Sequence, residues 1–308
     1  MITGGTGLVG KRLTAHLVSR GYKVIVLSRK AADNKQHESV TYATWDTHRQ
    51  TINEQALQSA DFIINLAGAG VMDRRWTESY KKEIVDSRVK SCSLIAESVK
   101  KYPNKVKAIV SASAIGWYGP DKEHARPFTE EDEPSTDFLG QTCASWEKSI
   151  SEAAGSGYRV CILRTGIVLS NNGGAFAEFK KPLRFGIAAI LGNGKQMISW
   201  IHIDDLCRLF IYAMENDFMK GTYNAVSTMP VSNRELTLAL AKEKKGRFYI
   251  PFYVPAFLLK IILGEGSIEV LKSTTVSNTK TTSAGFAFLY PSIESAINEL
   301  CKKTTGQI

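Results

Sequence analysis

Cysteine is scarce and scattered. The 308-residue chain holds five, Cys92, Cys143, Cys161, Cys207 and Cys301, an odd number with no Cys-x-x-Cys pair. That excludes a disulfide framework and predicts reduced thiols in a cytoplasm. No His/Cys/Asp cluster has metal-ligand spacing, so no metal is expected. Long apolar runs are missing too. None reaches the length of a membrane span, about 18 residues, and no signal peptide precedes the first strand. The greasiest stretch, 252–263, is broken by Pro255 and Lys260. It reads as a core or subunit-facing helix, and the second choice would make the protein a homodimer. Like charges never run to five, and no basic face is interleaved with aromatics, which argues against a nucleic-acid partner. The net charge of +9 comes largely from scattered lysines and can help draw in an anionic cofactor or substrate.

What is present begins at residue 3. Thr-Gly-Gly-Thr-Gly-Leu-Val-Gly fills positions 3–10. Gly4, Gly7 and Gly10 are spaced as a strand-to-helix turn needs if backbone is to wrap a pyrophosphate. The first glycine serves the tight turn, the second lets phosphate approach the main chain, and the third lets the helix pack close to the sheet. The phosphates then meet free N–H groups at the positive end of a helix. Leu13, Leu17 and Val18 follow at helical spacing, Gly21 ends the helix, and an apolar run to Leu27 reads as a buried parallel strand. Together these make a βαβ unit of about 30 residues. Only Met1 and Ile2 precede the motif, although a strand usually has about 5 residues. That predicts either residues missing ahead of Met1 or a clipped first strand.

The second strand ends Leu27-Ser28-Arg29-Lys30, with no acid before Asp33. An acid there reads the ribose hydroxyls of NAD, whereas an arginine accommodates the 2′-phosphate of NADP. A guanidinium matches phosphate bidentately, and Ser28 adds a hydroxyl. Arg29 and Ser28 therefore predict NADP.

Strands are predicted over 40–46, 61–68 (running into a small-residue turn at its end), 106–113 and 158–163, and helices over 76–101 and 138–154. The alternation implies an α/β fold with a doubly wound parallel sheet, whose ligands bind beyond the strands' carboxyl ends. Beyond Thr165 the rhythm changes. A helix ending near Phe185, a strand over 197–203 and a helix over 204–216 are expected. Residues 1–165 then form the dinucleotide-binding domain, with 197–216 returning to it. Residues 166–308 form a smaller α/β substrate lid.

Several motifs now fall in one order. They are the glycine turn, Asn65-Leu-Ala-Gly68, Ser111-Ala-Ser-Ala-Ile-Gly-Trp-Tyr-Gly119, Pro127-Phe-Thr-Glu-Glu-Asp-Glu-Pro134 and Trp200-Ile-His-Ile-Asp-Asp-Leu206. The chain resembles the extended short-chain dehydrogenase/reductases, NAD-dependent epimerase/dehydratase-like proteins with a Rossmann fold. It is most similar to their atypical branch of nucleoside-diphosphate-sugar epimerases, which carries Ser-Arg-Lys after strand two, Arg74-Arg75-Trp76 and the Trp146-Glu147 pair. The resemblance implies Thr6, Gly7, Leu8, Val9 and Gly10 at the pyrophosphate, Ser28 and Arg29 at the 2′-phosphate, and Leu66, Ala67 and Gly68 on the adenosine side. It also implies Glu83 in the cofactor pocket or on a solvated helix face.

One part of the pattern is broken. Most of the superfamily uses a Tyr-x-x-x-Lys pair on one helix face, where the ammonium lowers the tyrosine pKa for proton transfer. Anchoring on Glu147 puts that pair at Leu139 and Cys143, neither of which does this work. Tyr118-x-x-x-Lys122 contains Gly119 and Pro120, so it sits in a turn. Ser113 is the candidate substrate-polarising hydroxyl, with Ala114 in its place if the register is set on Tyr118-Gly119, and Tyr118 can face the substrate. His202 reads as structural, and Asp204 and Asp205 as helix caps. The expectation is an NADP(H)-binding epimerase or oxidoreductase that transfers hydride to or from a nucleotide-sugar-like or other small polar substrate. The alternative is an NADP(H)-binding sensor or partner-binding module without turnover.

Overall fold

A computed structural model of the chain describes residues 1–29, 38–122 and 126–302. Lys30 and Asp33 lie outside the described residues. In chain order the first elements are β1 (Ile2–Thr3), α1 (Leu8–Ser19), β2 (Val24–Ser28), β3 (Val40–Asp46), β4 (Thr51–Ile52), α2 (Glu54–Ser59), β5 (Phe62–Asn65), α3 (Glu78–Lys101), β6 (Ala108–Ala114), α4 (Phe138–Ala154) and β7 (Arg159–Thr165). There follow β8 (Ile167–Leu169), α5 (Gly174–Leu183), β9 (Ile187–Leu191), β10 (Met197–Ile198), β11 (Trp200–His202), α6 (Ile203–Glu215) and β12 (Gly221–Ala225). The last are β13 (Val231–Ser232), α7 (Asn233–Lys245), β14 (Ile250–Val254), α8 (Ala256–Leu263), α9 (Ser267–Leu271), α10 (Thr279–Ser283) and α11 (Ile293–Cys301).

Eight strands form the central sheet in the order β12-β7-β6-β5-β1-β2-β3-β4. All its pairings are parallel except that of β3 with β4. The fold is doubly wound. The chain runs outward from β1 through β2 and β3, then crosses to β5 and proceeds the other way, so the β1–β5 boundary is the switch point where ligands bind in such sheets.

Both faces are covered because each crossover helix carries one apolar stripe. On one side Leu13 and Leu17 of α1 meet Leu206, Leu209 and Phe210 of α6 over Val26, Val110 and Leu163. On the other, Ile95 and Val99 of α3 and Trp146 and Ile150 of α4 close over Ile63 and Ile109. The caps follow from sequence. Gly21, at φ +83°, ends α1 with Tyr22 N–H on the Leu17 carbonyl and Gly21 N–H on that of Val18. Asp137 accepts from the Gly140 N–H to start α4, and Thr77 from the Tyr80 N–H to start α3. A third core, under Phe176, Trp200, Leu236, Leu240 and Ile297, holds the C-terminal elements together.

The structure corrects three expectations. The strand over 197–203 is broken at Ser199. β10 pairs antiparallel with β13, while β11 pairs parallel with β8. The Ser199 hydroxyl donates to the Thr274 carbonyl and accepts from the Val276 N–H, and its carbonyl accepts from Ile167 N–H, so the residue bridges separate ribbons. Second, the cap of α6 is His202, whose Nδ1 accepts the Asp204 N–H, and not either aspartate. Asp204 instead receives Arg12 and His16 of α1, and Asp205 takes the N–H groups of Leu289 and Tyr290. Third, 252–263 is not core. It divides into the end of β14 and a helix on which only Leu259 is buried, with Phe257 66% and Ile261 64% exposed.

Candidate functional site

The glycine turn lies at the switch point and is welded to the turn after β5. Thr3 Oγ1 donates to Asn65 Oδ1 at 2.6 Å and accepts the N–H groups of Leu66 and Ala67 at 3.1 and 3.2 Å. Gly4 has φ +65°, and a Cβ there would stand 2.6 Å from the Leu66 carbonyl oxygen. A Cβ on Gly10 would collide with the Gly4 carbonyl. The two glycines therefore permit a contact between main chains that no side chain could share. Gly7 is the N-cap of α1. It makes no side-chain cap bond, and no acid stands in the first turn, so among the described residues no side chain caps the amides that begin this helix. That donor set fits a pyrophosphate. Thr6 and Gly7 are exposed, and a Cβ on Gly174, the first residue of α5, would stand 3.3 Å from Leu8 Cδ2.

At the end of β2, Ser28 is half-buried and Arg29 exposed. Gly68 continues the β5 turn against Arg88, whose guanidinium donates to the carbonyls of Ala69 and Ile84 and lies 4.9 Å from the Trp146 ring. Glu83 is exposed on α3 and pairs with Arg74 at 3.4 Å.

Beyond β6 the site departs from expectation. Ser113 and Tyr118, expected to face substrate, are 3% and 4% exposed and belong to one buried network. Ser113 Oγ donates to Glu147 Oε1 at 2.6 Å. Arg164 grips the same carboxylate bidentately at 2.8 and 2.9 Å, and its other amine donates to Tyr118 Oη at 3.0 Å. Tyr118 Oη donates to Asn224 Oδ1 at 2.7 Å. The Arg164 guanidinium lies 3.7 Å from the Trp117 ring centroid. Burial pushes the Tyr118 phenol up to about 12 despite Arg164, so at neutral pH it is a neutral donor and not a base. The position before Tyr118-Gly119 that register left to Ala114 carries no hydroxyl at all.

Leu139 and Cys143 sit where the proton-transfer pair was sought. Both are buried, and burial pushes the Cys143 thiol up to about 12, which makes it inert as a nucleophile. His202 is 1% exposed and stacks on Tyr290 at 4.0 Å, and burial lowers its pKa. Glu147 and Arg164 are the centre of the arrangement. Arg164, with Thr165, is a site candidate from its place at a strand's carboxyl end, whereas Glu147 served only to set the register, although it lies one helical turn beyond Cys143. Among the described residues no group of His, Cys, Asp and Glu could hold a metal ion, and no helix is long and apolar enough to cross a membrane.

The family model described as the NAD dependent epimerase/dehydratase family matches residues 1–225. The chain belongs to that family. A second model, a domain of unknown function (DUF1731), matches residues 254–300, so this epimerase/dehydratase relative carries both parts in one chain. It is 34% identical to the epimerase family protein YfhF of Bacillus subtilis over 97% of this chain and 96% of that one. Human epimerase family protein SDR39U1 (isoform 2), solved with NADPH, superposes with a TM-score of 0.86 at 28% identity, covering 97% and 98% of the two chains. A nucleoside-diphosphate sugar epimerase from Corynebacterium glutamicum matches at 0.76 and 32% identity, over 97% of this chain and 57% of that one.

Proposed function

We propose that this protein binds NADP(H) and acts as an epimerase or oxidoreductase, passing hydride between the cofactor and a carbon of a small-molecule substrate. The observation that carries the reading is the uncapped, acid-free start of α1, joined through Thr3 to the turn after β5. Bound NADP(H) supplies or takes up the hydride. The residues of this chain do the rest. The main-chain N–H groups of Thr6, Leu8, Val9 and Gly10 face the pyrophosphate, that of Gly7 being held by the Gly4 carbonyl; Leu66, Ala67 and Gly68 flank the adenosine, and Ser28 with Arg29 meet the 2′-phosphate. NADP over NAD is supported by the exposed Arg29 at the end of β2, with no acid before Asp33 in the sequence, and by the NADPH in the human relative. Ser113 and Tyr118 act as positioning residues that hold Arg164 and Glu147 in place.

The test is the cofactor itself. Arg29→Ala should weaken NADPH by about 2 kcal/mol or more, the loss expected when one member of a charged hydrogen-bonded pair is removed, and leave NADH nearly unchanged. Equal losses for both, read by titration calorimetry, would refute the 2′-phosphate role.

A second reading, a cofactor-binding sensor without turnover, is favoured by one observation. The hydroxyls of Ser113 and Tyr118 are both spent inside the protein, and Leu139 and Cys143 provide no proton. NADPH oxidation assayed against carbonyl compounds and sugar nucleotides separates the two. Turnover with any of them establishes the enzyme, whereas tight NADPH binding without turnover favours the sensor.

A further inference from the structure

Beyond the carboxyl ends of β6 and β7 lies a cleft of about 130 Å³ between the sheet and the C-terminal elements. Gly116 lines it, and a Cβ there would stand 3.1 Å from Leu139 Cβ and 3.8 Å from Cys143 Sγ. One lining residue thus packs against the two residues that replace the proton-transfer pair. Most of its wall is apolar, formed by Ile115, Ile167, Phe179, Met197, Ile198 and Val270.

Its polar groups are nearly all committed to the protein. Gln196 Nε2 donates to the carbonyls of Leu191 and Val270, and Asn233 Oδ1 accepts the Leu191 N–H. Ser199 is held by Thr274 and Val276, and Thr274 Oγ1 donates to the Gly119 carbonyl. The exceptions are Glu269, whose second carboxylate oxygen has no hydrogen-bond partner among the described residues, and Lys272. Its ammonium, on a side chain 9% exposed, donates to Glu269 Oε1 at 2.8 Å, and the next carboxylate, Asp137, is 3.9 Å away. An ammonium has three donors, so Lys272 keeps capacity for an oxygen brought in by a ligand. Asp137 also caps α4, so this charge stands at the head of the helix bearing Leu139 and Cys143.

We propose that this cleft is the substrate site and takes a small, largely apolar ketone or aldehyde, its oxygen oriented by Lys272, in preference to a nucleoside-diphosphate sugar. Volume and charge both point this way. Pockets for drug-sized ligands run to about 300–1,000 Å³, and a nucleotide sugar needs at least that. A diphosphate also needs several cations or free amides, whereas the one cation lining this cleft among the described residues is already paired with Glu269. The reactive carbonyl is inherited from the hydride-transfer reading, but binding in the cleft stands apart from it.

Saturation-transfer NMR on the full chain, with acetophenone and cyclohexanone as probes and UDP-glucose as competitor, tests the assignment. Both ketones should bind without cofactor, and UDP-glucose should not displace them. Ala175→Phe, which fills the cleft from α5, and Lys272→Met, which keeps the stem and removes the donors, should each weaken the ketones at least tenfold. If Ala175→Phe lowers the melting temperature sharply, Ile167→Trp, at a half-exposed position of the same wall, replaces it. The proposal falls if neither ketone binds, if the cleft variants leave their affinity unchanged, or if UDP-glucose displaces them. The role of Lys272 falls if Lys272→Met binds as the parent does. NADPH titrated into the same samples keeps the two readings separate. Ketone binding with no NADPH binding would sink the cofactor reading and leave the cleft assigned.

Discussion

Gly10 carries more of the site than its lack of a side chain suggests. The first turn of α1 can press on the Gly4 carbonyl only because position 10 has no Cβ. Gly10→Ala must push the helix off the turn. It should cost about 1–3 kcal/mol in stability, the usual toll of overpacking, and should weaken NADPH and NADH alike, since the pyrophosphate is common to both. Thermal unfolding and titration of both cofactors check this. The pattern separates it from Arg29→Ala, which should spare NADH. On the proposed reading the two variants probe different parts of one ligand, and the close approach at Gly10 was legible in the sequence because it rests on local backbone geometry.

Among the elements, α4 and β7 form the least expected partnership. Glu147 and Arg164 are 8% and 3% exposed at their side chains and bonded bidentately. Removing one partner from such a buried pair costs about 3–5 kcal/mol, because the other charge is left uncompensated. Glu147→Ala should show a loss of that size in chemical denaturation. The double variant Glu147→Leu/Arg164→Met should recover most of it, since replacing both ends with apolar groups is often neutral. Helix α4 was read from sequence with its observed bounds, and β3 likewise, because apolar spacing and an Asp cap or a β-rich run declare them locally. What Glu147 touches was not legible. Its partners lie 34 and 17 residues away, on two different strands, and no local spacing encodes that meeting. The same limit explains the break at Ser199, which depends on Thr274 and Val276. The cap of α6 is local, but an imidazole two residues before Asp204 took the place expected of a carboxylate. The β3–β4 turn and α2 went unread because two-residue and six-residue elements carry too few positions for a period.

For the molecule as a whole, Asp204 joins the first helix to the sixth. Burial pushes its carboxyl up, but hydrogen bonds from His16 and Arg12 outweigh this and hold it well below its ordinary 3.8. A carboxyl depressed in the folded state contributes stability that is complete above its unfolded pKa and fades as pH falls through the folded value. Melting temperature followed downward from pH 5 should therefore drop more steeply below about pH 3.8 in the parent than in Asp204→Asn. Above that pH the parent should be the more stable. The doubly wound sheet, its switch point and the glycine turn were all foreseeable, because βαβ rhythm repeats along the chain. The cleft under Lys272 was not, since its walls come from six separate stretches between Ile115 and Thr274.

The bond between Arg12 and Asp204 spans 192 residues, and β12 completes the sheet only at Ala225. At a synthesis rate of about 5–20 residues per second, the apolar stripe of α1 waits roughly 10–40 s for the helix that covers it. During that interval the nascent chain displays a nearly finished nucleotide-binding half with one flank bare. A chaperone that recognises exposed aliphatic helix faces should be found on ribosomes stalled before residue 203 and absent from those stalled well past residue 225.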